Sequence, residues 1–142
     1  MATILCIEDE ADLREDIAGE LEDEGYDVLQ AGDGNEGLKL ILQHKPDLVL
    51  CDISMPDKDG YQLLKEIREK YTIFADMPFI FVSALSEKDD VIAGLKLGAD
   101  NYITKPIDLD LLTVKVWASL RQIERIRENH PKASHDAWLV EA

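Results

Sequence analysis

Five short apolar runs recur along this chain, and each is followed by a segment with helical spacing. The runs are TILCI, YDVLQA, DLVLC, PFIFVS and NYIT; the first, third and fourth are nearly continuous in apolar residues. Continuous runs of this length suit parallel strands covered on both faces. Between them, ADLREDIAGELEDEG places Leu13, Ile17 and Leu21 on one helical stripe and stops at Gly25. GLKLILQHK, YQLLKEIREKY and DDVIAGLKLGA carry the same periodicity, and a last helix starts after Pro106 and runs through DLDLLTVKVWASLRQIERIREN. This (βα)5 alternation predicts an α/β fold with one doubly wound parallel sheet and right-handed crossovers. For five strands the flavodoxin-like order 2-1-3-4-5 is the natural choice, with an extended C-terminal helix. At 142 residues the chain reads as one domain, residues 1–120, followed by a helix extension and tail or linker, residues 121–142.

Sheets of this kind bind ligands outside the carboxyl ends of their strands, where the strand order reverses. Glu8 and Asp9 follow the first run, Asp52 the third, Ser83 closes the fourth, and Lys105 with Pro106 follows the fifth. If strands one and three are neighbours, three carboxylates meet at one crevice. Like charges that close raise one another's pKa or demand a cation. An all-oxygen donor set in a wet cleft suits Mg²⁺. An ionised carboxylate can also attack phosphorus, and the transferring group then needs a metal, a cation and a hydrogen-bond donor around its oxygens. Each residue alone has a plainer reading, as a turn serine, a solvated lysine or a helix cap at Asp9 or Glu10. All five at one rim argue for a site.

The stretches IEDE, LVLCDISMPDKDGYQLL, FVSAL and GADNYITKPI carry a resemblance over roughly residues 2 to 120. The chain resembles the receiver domain of two-component response regulators, the CheY-like superfamily. The resemblance implies that Asp52 accepts a phosphoryl group from a phosphohistidine on a histidine kinase or histidine phosphotransfer protein. It implies that Asp9, with Glu8 largely through water, holds Mg²⁺ together with Asp52 and the backbone carbonyl of Ser54. Lys105 is expected to bind a phosphoryl oxygen and Ser83 to move onto the phosphate. Tyr102 is expected to turn inward in response, reshaping the face of the fourth helix, fifth strand and fifth helix for a downstream protein or an output domain. Such a protein catalyses only its own phosphorylation and slow dephosphorylation. Lys105–Pro106 resembles the family's cis peptide. Three departures stand out: Glu-Asp where Asp-Asp is commoner, Ser83 where Thr is frequent, and Ser54 and Leu85 at positions that tune acyl-phosphate hydrolysis. Pro56 and Gly60 suit a tight loop, with φ fixed at the proline and free at the glycine.

Rival readings leave traces in the same residues. A haloacid-dehalogenase-like phosphatase also uses an Asp, Mg²⁺ and a Lys, but needs a second acid where this chain has Ser54. AGDGNEG, residues 31–37, spells a dinucleotide-binding G-x-G-x-x-G, with Asp52 at the distance of a ribose ligand. Asp33 and Glu36 would place two carboxylates against a pyrophosphate. They fit better as N-cap and N3 of a capping box, with the glycines as turn residues. An interaction module that works without phosphorylation is the remaining alternative.

The formal net charge of -15 repels phosphate backbones and argues against direct nucleic-acid binding. Arg14 is the only base in the first 36 residues; Arg121, Arg125, Arg127 and Lys132 form a late basic cluster, read as a solvated helix face. No apolar run approaches the ~20 residues of a membrane span, and MATILCIEDE lacks the basic start of a signal peptide. With Cys6 and Cys51 both in strand-like runs, the expectation is a cytoplasmic protein without disulfides. His44 reads as a helix end facing the dipole, and His130 and His135 as tail residues. Leu109, Leu112, Val116, Ile123 and Ile126, broken by Ser119, continue with coiled-coil-like steps. They suggest a signalling helix over residues 121–129, leading to an output domain or a homodimer through the fifth helix. Trp138, Leu139 and Val140 are candidates for docking elsewhere.

Overall fold

The computed structural model describes residues 1–129. The expectations placed on His130, Lys132, His135, Trp138, Leu139 and Val140 lie outside the described residues. Five strands alternate with five helices: β1 (Thr3–Ile7), α1 (Ala11–Asp23), β2 (Asp27–Ala31), α2 (Gly34–His44), β3 (Leu48–Cys51), α3 (Gly60–Lys70), β4 (Phe79–Ser83), α4 (Lys88–Lys96), β5 (Asn101–Thr104) and α5 (Leu109–Asn129). A short 3-10 turn, Thr72–Phe74, which the periodicity does not announce, joins α3 to β4. The sheet has order β2-β1-β3-β4-β5 with every pair parallel, as the alternation predicts.

Side chains alternate across each strand, so one apolar run feeds two cores. Leu5, Ile7, Val49, Cys51, Phe79 and Phe81 face Ile41, Leu63, Leu64 and Ile67 of α2 and α3. Ile4, Cys6, Leu48, Leu50, Ile80 and Val82 face Ile17 and Leu21 of α1 and Leu112 and Val116 of α5. Cys6 and Cys51 are free, buried and on opposite faces of the sheet. The central strands β3 and β4 are buried throughout, while β2, at an edge, is half exposed; this is why its run reads less apolar.

Helix ends follow partly different chemistry from the sequence reading. Gly25 (φ 99°) and Gly98 (φ 111°) take the left-handed conformation just after α1 and α4, where glycine has no Cβ to clash. At the end of α2 the same conformation falls on Lys45 (φ 49°), followed by Pro46, so the helix stops one residue before the expected span. Glu10 occupies the N-cap of α1, but its side chain caps nothing. Asp33 caps α2, accepting from Glu36 N at 2.8 Å. Asp59 and Gln62 at the start of α3 form a full capping box.

The glycines of AGDGNEG answer to packing. A Cβ at Gly34 would sit 2.4 Å from Lys58 O, and one at Gly37 2.4 Å from Ile7 Cδ1. They let α2 lie close to β1 and to the loop after β3. At ~1.5 Å per residue the 21-residue α5 is about 31 Å long. Leu120 is its last residue packed on the second core, while Ile126 is 48% exposed and Arg121, Arg125 and Arg127 face solvent.

Candidate functional site

The parallel order brings the carboxyl ends of β1, β3, β4 and β5 to one edge, and with them all five residues expected at the rim. Asp52 follows β3 next to Glu8 and Asp9, because Ile7 pairs with Cys51 and Asp52 N donates to Ile7 O at 3.0 Å. One carboxylate oxygen from each of Glu8, Asp9 and Asp52 lies within 4.8 Å of the others. Glu8 and Asp52 are buried, and Asp9 is exposed. Three hard oxygen donors, one open to water, match a small divalent cation that keeps part of its hydration shell.

Lys105 enters from the end of β5. Its Nζ lies 2.9 Å from Asp52 Oδ2, 2.8 Å from Glu8 Oε1 and 3.8 Å from Glu10 Oε1. Asp52 Oδ1 accepts from Ser54 N at 3.2 Å. Burial pushes the Glu8 carboxyl up to about 7, against the lowering effect of the Lys105 ammonium; the Asp52 charge adds to the rise. Burial works against the Lys105 charge, but its contacts with Glu8 and Asp52 outweigh it and raise the ammonium above its ordinary value.

Ser83 is fully buried, and its Oγ accepts from Leu85 N at 3.2 Å. Tyr102 is buried with its ring inward, and its hydroxyl donates to Leu85 O at 2.6 Å. Leu85 is therefore held on both sides of its backbone by the two residues expected to switch. Tyr102 also packs edge-on against Phe81 at 6.1 Å. A Cβ at Gly94 would come within 3.2 Å of the Tyr102 ring, so α4 lies directly over it.

The loop after β3 corrects one expectation. Positive φ falls on Asp57 (65°), and Gly60 instead opens α3. Glycine is required at 60 by close approach: a Cβ there would sit 2.4 Å from Asp52 O and 2.9 Å from Ile53 Cα. Arg14 has a role that the sequence pattern does not announce. Its Nη1 donates to Glu8 O at 2.6 Å, bracing the turn that carries Glu8 and Asp9. The isolation of Arg14 among acids was the available signal. The Lys105–Pro106 peptide is cis, as the resemblance implies.

The family model described as response regulator receiver domain matches residues 4–117. The chain belongs to this family. The probable transcriptional regulator ycf27 of Porphyridium aerugineum is 39% identical to the receiver described here over 127 residues, 89% of this chain and 51% of that protein. The chain thus spans about half the length of that relative. Among solved structures, the Francisella response regulator 1452 receiver domain superposes with a TM-score of 0.81 at 33% identity, covering 87% of this chain and 99% of that one. NtrX from Brucella abortus superposes with a TM-score of 0.82 at 31% identity, over 89% of this chain and 29% of that one. The receiver is thereby a component of two-component signalling. Among the described residues, no helix is long and apolar enough to cross a membrane.

Proposed function

We propose that this receiver takes a phosphoryl group from a phosphohistidine onto Asp52 and passes the change to its α4–β5–α5 face. The observation that carries the reading is the rim itself: a buried Asp52 beside Glu8 and Asp9, with Lys105 in contact with it. In the transfer an Asp52 carboxylate oxygen attacks phosphorus. The phosphorus–nitrogen bond of the donor breaks, and the imidazole leaves with the electron pair and takes a proton. Lys105 then meets a phosphoryl oxygen, and Ser83 supplies a hydroxyl donor on the far side.

Asp9 and Asp52, with Glu8 through water and the Ser54 carbonyl, would hold Mg²⁺. When bound, the ion neutralises phosphoryl oxygens during transfer. The acids it would use fit it by chemistry and spacing. The donor is a histidine kinase or a histidine phosphotransfer protein. Residues 1–120 are the receiver body, and residues 121–142 are a helix extension and tail or linker toward a partner or output domain. Leu85 is where the message leaves the site, because Ser83 and Tyr102 both hold its backbone.

Radiolabelled phosphoryl transfer from a panel of phosphorylated histidine kinases tests the reading. Label should appear on wild-type protein with Mg²⁺ and be absent from Asp52→Asn. Transfer to Asp52→Asn at the wild-type rate would sink the assignment.

A further inference from the structure

The fifth helix outruns the sheet it covers. Strands of four or five residues span about 17 Å, against about 31 Å for α5. Beyond Leu120 the helix passes alongside the loops that lead into β4 and β5, and a groove of about 450 Å³ lies between them. One wall is a stripe of α5 at four-residue steps, Val114, Ala118, Gln122 and Ile126. Val114 and Ile126 are 59% and 48% exposed, unlike the stripe of Leu112 and Val116 that the second core buries. Asp76 and Asp100 line the groove from the loop side. It is therefore aliphatic along the helix and rich in hydrogen-bond acceptors opposite.

That mixture suits an indole, which has an apolar body and one N–H that only donates. Beyond the described residues the sequence continues HPKASHDAWLVEA, where Trp138, Leu139 and Val140 stand together in an otherwise largely polar stretch. We propose that Trp138 of the same chain docks in this groove, its ring against Ala118 and Ile126 and its N–H toward the Asp76 and Asp100 carboxylates. Lys115, at the same groove, is the cation available to Asp136 and Glu141 on either side of the trio. The tether permits this. Trp138 stands nine residues after Asn129, about 30 Å of extended chain, whereas Gln122 lies only about 10 Å back along α5. A tether that short gives an effective concentration of about 1 mM, so an intrinsic Kd of about 0.2 mM leaves the segment docked about five times as often as undocked. Docking anchors residues 130–138 on the receiver body and so fixes the direction in which any following segment leaves. It involves neither Asp52 nor the acids around it.

Tryptophan fluorescence of the full chain tests the proposal. Trp117 and Trp138 are the two tryptophans, and Trp117 lies outside the groove, so Trp117→Phe leaves Trp138 as the reporter. Acrylamide should quench Trp138 about fivefold less in the folded protein than after urea unfolding. Ala118→Glu in the same background puts bulk and negative charge into the groove and should bring quenching close to the unfolded level. Leu111→Glu, at an exposed α5 position outside the groove, should leave the protection intact. Protection should be the same at about 5 and about 500 µM protein, as an intramolecular contact requires. Circular dichroism checks that each variant is folded. If Ala118→Glu is not, Trp138→Ala in the wild-type chain decides: loss of the ring current should shift the amide signals of Asn101, Ser119 and Gln122 and leave those of α2 and α3 in place. The proposal is overturned if Trp138 is quenched as in urea, if Ala118→Glu leaves it protected, or if Leu111→Glu exposes it equally. It is also overturned if protection rises with concentration, which assigns the groove to a second copy, or if Trp138→Ala moves no amide at the groove.

Discussion

Replacing Lys105 with methionine removes the cation that Glu8 and Asp52 share and keeps most of the side-chain volume. The partners left behind are nearly inaccessible, with side-chain exposures of 2% for Glu8 and 6% for Asp52, so water screens them little. Removing one partner of a buried ion pair costs about 3–5 kcal/mol, because the remaining charge is uncompensated. Proton uptake offsets part of this: Glu8, already raised to about 7, is pushed further up once the ammonium is gone. The net expectation for metal-free Lys105→Met at about pH 8 is a loss of about 2–4 kcal/mol, shrinking as the pH falls and the carboxyl neutralises. Mg²⁺ should stabilise the variant by about 2.7 kcal/mol at a hundredfold excess over its Kd, and wild type by less at the same concentration, because its Lys105 competes for the acids. Urea unfolding followed by circular dichroism, in chelator and in Mg²⁺, measures all three. Equal stability of the two proteins at about pH 8 in chelator, or a deficit that grows toward acid, would show that the ammonium does not offset the two buried carboxylates.

Gly60→Ala should lower stability by about 1–3 kcal/mol and slow phosphorylation, because the added Cβ meets backbone at Asp52 O, 2.4 Å away, which cannot swing aside. A thermal melt and an acetyl-phosphate time course check both. Tyr102→Phe keeps the ring but loses the 2.6 Å bond to Leu85 O, worth about 1 kcal/mol, and should speed amide exchange in the β4–α4 loop. Unchanged exchange there would remove Leu85 from the account. Stability should also depend on Glu8, whose folded pKa of about 7 lies above the ordinary 4.5. Its contribution is then fully present below about pH 4.5 and is lost as pH rises through about 7. Metal-free wild type should therefore lose stability relative to Glu8→Gln across that window, measured by urea unfolding at a series of pH values.

Where one local pattern settles an element, the sequence was enough. The continuous run FIFVS required a strand buried on both faces, and acids directly after the first and third runs required a shared rim once those strands were neighbours. What could not be read depends on distance in sequence. Nothing local says that Glu8 reaches Lys105, a contact between the ends of β1 and β5 across two intervening strands. The Ser54 N–H on Asp52 comes from backbone direction in a loop, which side-chain identity does not encode. Gly60 stands out in the sequence but not for its true reason, because a glycine required by close approach looks the same there as one required by positive φ. Lys45 ends a helix in a conformation that usually selects glycine, and only the following Pro46 hints at the stop. AGDGNEG shows the converse. Its spacing fits a nucleotide fingerprint, yet Asp33 caps α2 and Gly34 and Gly37 make room for Lys58 and Ile7.

The central claim is that Asp52 is the group that receives phosphorus. Intact-mass analysis after incubation with acetyl phosphate and Mg²⁺, followed by borohydride trapping and peptide mapping, tests it without knowledge of the partner kinase. One phosphoryl group is expected on wild type, mapped to Asp52, and none on Asp52→Asn or in chelator. A phosphoryl group mapped to another residue, or one retained by Asp52→Asn, would contradict it.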